Sequence, residues 1–176
     1  GRRELAGPLA ENLLDWAGVT KVGPRVLSDR SIPNVLATIC RKQMRVLQPG
    51  EWTRGTQEET LASEPVRGLH WGYPRGVTLY GMLRVSQVTG NKQFSDFVLE
   101  HNGLVARHHA WLRWQEATFG RHGPTHGIAQ LMRLGCLDDC GSMGSQVLEG
   151  LMQHGGEATP EMQAMLQRIA TYIHTK

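Results

Sequence analysis

Apolar residues recur along this chain at the three- and four-residue spacing of amphipathic helices, and strand-like alternation is nearly absent. The apolar face of each such helix must be buried against other helices. This requirement limits the possible architectures more than any other feature of the sequence. Capping residues, proline and glycine divide the pattern into five main helices. Their predicted starts are Ser31, Pro74, Asn91, Asp138 and Thr159. The sequence therefore predicts an all-α fold.

The predicted helices differ in how much of their circumference is apolar. Residues 74–89 are apolar nearly all round, which predicts burial on more than one side. The helix over 92–112 has one stripe and is expected to be peripheral, with its histidines 101, 108 and 109 at the surface or edge. Residues 51–69 and 114–124 are expected to be loops, and a short helix is expected over 125–134. Alternating enclosed and one-sided helices favour two concentric layers or stacked helical hairpins.

Composition limits the classes of partner. The net charge is +3, and no run of five basic residues provides the footprint of a nucleic-acid-binding surface. No segment approaches the roughly 18 apolar residues that a membrane-spanning helix needs. Three cysteines do not form a disulfide framework. Neither nucleic acid nor membrane is expected as a partner, and bacterial cytoplasm and periplasm are both compatible compartments.

The first candidate motif, residues 70–76, precedes and enters the second helix. Trp71 and Tyr73 are suited to stack on sugar rings, and Arg75 could bind a carboxylate through two hydrogen bonds. A helix N-terminus also favours anions. The alternative is that both aromatic side chains only pack the loop against the core.

The second candidate motif, residues 137–144, has two carboxylates in the first turn of a helix, followed by small residues. Asp138 and Asp139 could simply cap the helix, although capping requires only one of them. Adjacent aspartates cannot flank a glycosidic bond, since an acid/base pair needs opposed carboxyls about 5–9.5 Å apart. A glycosidase site here would need a further acid from elsewhere.

A zinc site is the third possibility, because His122, His126, Cys136 and Cys140 have spacings found in structural zinc sites. The two histidines flank Pro124 in a loop, however, and Cys140 lies on the apolar stripe of its helix. Free cysteines are commonly buried as small hydrophobic residues. The chain is therefore expected to hold no metal.

Together, the motifs at 70–82 and 137–144, with the helix–helix turn at 88–92, resemble glycoside hydrolase family 105, the unsaturated rhamnogalacturonyl hydrolases. That family is related to the unsaturated glucuronyl hydrolases of family 88. The resemblance runs from about residue 30 to the end. It implies an (α/α)6 barrel, of which residues 31–176 would be the N-terminal half, preceded by an N-terminal extension over 1–30.

The resemblance also implies an activity, the removal of a 4,5-unsaturated uronic acid from the non-reducing end of lyase-generated oligosaccharides of the pectin or rhamnogalacturonan type. In that family an aspartic acid protonates C4 of the vinyl ether, water adds at C5, and the hemiketal opens to release the aglycone. This chemistry requires no metal or cofactor, only an acid and an assisting carboxylate.

By the same resemblance, Asp139 is the assisting catalytic aspartate, and Asp138 orients it or contacts the sugar. The other expected substrate-binding residues are Trp71, Tyr73, His126 and Met143, to which Arg75 is added as a carboxylate partner. The general acid is expected beyond residue 176. The remaining half of the barrel would come from another segment or chain.

Two alternatives remain open. One is another (α/α)-barrel sugar enzyme, an inverting glycosidase or an epimerase. The other is a noncatalytic helical carbohydrate-binding module that uses Trp71, Trp111 and Trp114 as a sugar platform.

Overall fold

The computed structural model describes residues 32–44 and 47–176. These residues belong to two units, which divide after Gln43. The first unit contains helix α1 (Ile32–Gln43), on which Ala37 and Cys40 are buried. The predicted cap Ser31 and the predicted extension over 1–30 lie outside the described residues.

The regular secondary structure of the second unit is almost entirely helical, as the periodicity predicts. Its one β-element in the described residues is an antiparallel pair of two-residue strands, in which Gln48 lies opposite Arg67. In chain order the elements are β1 (Gln48–Pro49), α2 (Gln57–Ala62), β2 (Val66–Arg67), α3 (Tyr73–Thr89), α4 (Lys92–Phe119), α5 (Ala129–Arg133), α6 (Leu137–Gln153) and α7 (Pro160–His174). The all-α prediction is confirmed.

Local signals locate several helix ends correctly. Pro74 lies in the first turn of α3, and Gly90 ends that helix with a left-handed φ of 69°. At the start of α7, Pro160 follows Thr159, whose side chain accepts a hydrogen bond from the Met162 backbone N–H at 3.3 Å.

Two loop predictions are wrong. The segment 51–69 contains α2, which is started by a capping box between Thr56 and Glu59. The segment 114–124 begins inside α4, because neither glycine nor proline lies between Trp114 and Gly120, which ends α4 with a φ of 72°. The tryptophans at the end of α4 are therefore helical.

Helices α3 and α6 lie side by side and parallel. At their N-terminal ends the Tyr73 N–H donates to Asp139, and near their C-terminal ends Arg84 pairs with Glu149 at 3.1 Å. Between these points the two backbones approach closely at Gly76. A Cβ there would lie 2.7 Å from the carbonyl carbon of Ser142 and 2.8 Å from the Met143 nitrogen, so only glycine fits without a shift.

Helix α4 runs back from the turn at Gly90 and packs against α3, α6 and α7. The amides of Asn102 and Gln146 exchange two buried hydrogen bonds of 3.0 and 2.9 Å between α4 and α6. Helix α7 runs parallel to α4, since Glu161 lies near Arg107 and Arg168 lies near Arg113. Helices α3 and α6 thus form one layer, and α4 and α7 the other.

Helix α4 has an exposed face, which includes Asp96, Arg107 and Arg113, as expected for a peripheral helix. The surface position expected for its histidines is wrong: His101, His108 and His109 are buried, because they lie where α4 packs against neighbouring helices and loops. Burial lowers the pKa of His101 to about 3 and those of His108 and His109 to about 4. Nearby positive groups contribute to these lowered pKa values, and all three rings are neutral at pH 7.

The prediction that α3 is buried on more than one side is confirmed. The helix packs against both α4 and α6, and residues such as Leu79 and Leu83 are fully buried. A third face is open, however, with Val77 51% and Val88 75% exposed.

We expect Gly76→Ala to destabilise the protein by about 1–3 kcal/mol, since the added methyl group would push α3 away from α6. Gly81→Ala on the same helix is the matched control. Nothing lies within 4 Å of a Cβ at Gly81, so this change should stabilise the helix by about 0.5–1 kcal/mol. Urea unfolding followed by circular dichroism measures both. Equal stabilities for the two variants would contradict the close approach.

We also expect stability to fall as the pH is lowered from 7 to 5. In the unfolded chain a histidine takes up a proton near its ordinary pKa of 6.5, whereas in the folded protein the three buried histidines stay neutral to about pH 4. The unfolded state therefore binds more protons in this range, which costs about 2 kcal/mol of stability per buried histidine at pH 5.

Urea midpoints at pH 7, 6 and 5 measure this loss. His109→Gln and His101→Gln should each make the dependence shallower, while His174→Gln, at an exposed position, should leave it unchanged. A stability that is flat over this range would show that the histidines are not buried as neutral groups.

Candidate functional site

The two sequence motifs meet where the N-termini of α3 and α6 lie together. The residue before α3, Gly72, has no side chain with which to cap the helix. Asp139 supplies the cap from α6, because its Oδ1 accepts a hydrogen bond from the Tyr73 backbone N–H at 2.6 Å. Ser142 Oγ also lies 3.4 Å from the Tyr73 carbonyl oxygen, to which it donates. We call residues 70–76 and 137–142 the paired N-termini.

Several polar groups are exposed at the paired N-termini. His70 and Asp138 are exposed, the Tyr73 ring is 53% exposed, and Asp139 is half-buried. Backbone N–H groups at both helix starts point toward this region and favour negative charge near it. The arrangement can hold one oriented carboxylate beside an aromatic ring that solvent reaches.

Trp71 belongs to the same segment but is only 1% exposed. Its backbone N–H donates to the Gly127 carbonyl oxygen at 3.0 Å, which holds the loop before α5 against it. Gly127 has a φ of 92° and lies so close to Leu69 that a Cβ would overlap the Leu69 carbonyl. Trp71 thus packs the paired N-termini onto the core and presents no ring face to solvent.

His126, which precedes Gly127, is brought into the same region by this loop. It is half-buried, adopts a left-handed φ of 43°, and its ring centroid lies 5.5 Å from that of His108. Such a conformation is uncommon outside glycine and requires support from its surroundings.

Met143 is fully buried one turn into α6.

Arg75 lies against α4. Its guanidinium is 5.6 Å from the centre of the Phe97 ring, and its charge contributes to the lowered pKa of His101. The side chain is buried, with 9% of its surface exposed. It therefore packs between helices, whereas Tyr73 and Asp138 face solvent.

The residues of the zinc alternative do not form a site. His122 Nδ1 lies 2.7 Å from the Gly123 carbonyl oxygen, and its Nε2 lies 3.6 Å from Glu116. Cys136 is exposed while Cys140 is buried. Over residues 32–44 and 47–176, no three side chains of histidine, cysteine, aspartate or glutamate are grouped so as to hold a metal ion.

Sequence reasoning named Trp111 and Trp114 of α4 as part of a sugar platform but missed the residues that lie against them. These are Trp52 and Arg54, from the segment expected to be a loop. The spacing of three between the two tryptophans on α4 places them on one helix face. Trp52 could not be assigned to them without the fold.

Comparison with known proteins adds no relative: no family model, curated protein or solved structure matches this chain. Among the helices in the described ranges, none combines the length and apolar character that crossing a membrane requires.

We expect Asp139→Ala to lower the free energy of unfolding by about 1–2 kcal/mol more than Asp138→Ala does, because only Asp139 caps α3. Both variants lose a carboxylate from the first turn of α6, so the control removes the same helix-dipole interaction. Asp139→Asn, whose amide oxygen can still accept from Tyr73, should retain most of the stability. Urea unfolding at pH 7 measures all three, and equal losses for the two alanine variants would exclude the capping bond.

Proposed function

We propose that this chain is part of an unsaturated uronyl hydrolase of the family 105 type, which removes a 4,5-unsaturated uronic acid from pectin- or rhamnogalacturonan-derived oligosaccharides. The observation that carries the proposal is the contact between the two motifs. Residues 66 positions apart meet through the hydrogen bond from Tyr73 to Asp139, and both motifs lie at helix N-termini.

The helix arrangement supports the barrel part of the proposal. Helices α3 and α6 are parallel neighbours in one layer, and α4 and α7 are parallel neighbours in the other, which is the alternation that an (α/α)6 barrel repeats. The open face of α3 and an apolar groove between α6 and α7, lined by Leu148 and Ile173, are the surfaces that further helices would cover. The remaining half of the barrel would supply those helices.

The carboxylate of Asp139 suits the assisting role. One oxygen is bound to the Tyr73 N–H, so the group is oriented before substrate arrives. In the proposed reaction a general acid from the remaining half protonates C4, water adds at C5, and Asp139 stabilises the positive charge that develops or orients the water.

The other predicted site residues divide by exposure. Tyr73 and Asp138 are accessible and would contact the unsaturated ring and its hydroxyl groups. Trp71 and Met143 are buried and would support the site from beneath, as would the half-buried His126. Arg75, packed against Phe97, would reach a substrate carboxylate only after leaving that position.

The alternative of a noncatalytic module has one observation on its side, the stacked pair Trp111 and Trp114. Trp71 is buried and does not line the cavity at which these two lie, so the three tryptophans do not form a single platform.

We expect the protein, together with the helices that complete its barrel, to abolish the ultraviolet absorbance of an unsaturated galacturonyl disaccharide. Asp139→Asn should lower kcat by at least about 100-fold, in the range lost with a group that assists proton transfer. Asp96→Asn, an exposed carboxylate on α4, is the control and should leave kcat unchanged. Near-normal turnover by Asp139→Asn would reduce Asp139 to a helix cap.

The proposal also states that residues 31–176 form only half of the barrel. Denaturing electrophoresis and intact-mass measurement of the active protein test this statement. We expect activity only where further polypeptide accompanies the 19.6 kDa chain. An active, monodisperse species of that mass would contradict the proposed division of the barrel.

A further inference from the structure

A cavity of about 380 Å³ opens beside the C-terminal half of α4, and neither α3 nor α6 contributes to its lining. Its size falls within the range of small-molecule sites. The residues that give it chemical character are Trp52, Arg54, Arg107, Trp111, Trp114 and Glu161. We call it the tryptophan cavity.

Its aromatic wall is a fixed assembly. Trp111 and Trp114 are stacked with ring centres 4.8 Å apart, and Trp52 meets Trp111 edge-on at 5.8 Å. Trp52 and Trp114 are partly exposed. Trp111 is 94% buried, and its indole N–H has no acceptor in the part of the chain that is described.

Two arginines and one glutamate also line the tryptophan cavity. The Arg54 guanidinium lies 4.9 Å from the Trp114 ring centre and 5.5 Å from that of Trp111, which orients the group while leaving the residue exposed. Arg107 and Glu161 complete the lining. The pKa of Glu161 is lowered, first by its own backbone N–H, then by Thr159 and Arg107, so it is a carboxylate at neutral pH.

We propose that the tryptophan cavity binds a hexuronate unit of an acidic oligosaccharide, outside the paired N-termini. The guanidinium groups of Arg54 and Arg107 match the sugar carboxylate. The partly exposed rings of Trp52 and Trp114 can contact the C–H groups of the pyranose ring, and Glu161 can accept hydrogen bonds from its hydroxyl groups.

Other ligand classes fit the cavity less well. A sulfate or phosphate ion would gain from the two arginines but would leave the tryptophans unused. A neutral sugar would offer no carboxylate to the two guanidinium groups. The hexuronate is the ligand that uses the aromatic, cationic and acidic parts together.

Binding of a saturated trigalacturonate to the full chain tests this inference, read by tryptophan fluorescence and calorimetry. This sugar lacks the C4=C5 bond, so its binding here is separate from the proposed hydrolysis. We expect saturable binding that weakens at least about tenfold in Trp114→Ala and in Arg54→Gln. The matched control is Arg113→Gln, which removes an arginine of α4 that pairs with Glu116 and does not line the cavity.

Circular dichroism must show the same helix content in every variant. If Trp114→Ala misfolds, Arg54→Gln still tests the proposal, because Arg54 is exposed and its substitution should not disturb the fold. Equal affinity in Arg54→Gln and the unsubstituted chain would overturn the proposal. Equal affinity for a neutral trigalactose would overturn the assignment to uronate, and full competition by millimolar sulfate would reduce the cavity to an anion site. If the protein binds trigalacturonate but does not hydrolyse the unsaturated disaccharide, only the proposed enzymatic activity is contradicted.

Discussion

The contact between α3 and α6 is the constraint on which the rest of the arrangement depends. Gly76 lets the two backbones approach closely, and that approach lets the Asp139 carboxylate reach the Tyr73 N–H from the neighbouring helix. Without it, α3 would begin at a glycine that offers no cap and the two motifs would not meet. One packing detail therefore determines both the helix layer and the geometry of the candidate site.

Helix α4 shows why the hydrophobic pattern alone misjudged which residues are buried. Its buried face includes amides as well as apolar groups, and these amides are satisfied by specific partners. Asn102 bonds to Gln146, while Gln115 bonds to Thr60 and Gly123. Because such bonds form in one register only, they fix how α4 sits against α6 and against the segment before α3. Polarity in a sequence is therefore a poor guide to exposure when the partner is distant along the chain.

Helix ends were predictable because their causes are local. Pro74, Gly90 and the pair Thr159–Pro160 act through neighbouring backbone groups, and the structure uses them as expected. The paired aspartates were also recognisable as a helix start, but the atom that Asp139 caps lies in another helix and could not be read from sequence. The grouping of Trp52 with Trp111 was hidden for the same reason, since their proximity depends on the complete path of the chain.

Charge separates the two candidate binding places. At the paired N-termini the accessible charged side chains are carboxylates, and Arg75 is held against Phe97. The carboxylate of an incoming uronate would be repelled there by Asp138 and Asp139. The backbone N–H groups at the two helix N-termini would offset part of this repulsion. The tryptophan cavity has the opposite balance, two arginines against one glutamate. In the proposed enzyme an acidic oligosaccharide would therefore be attracted by the cavity, and the paired N-termini would orient the single unit that reacts.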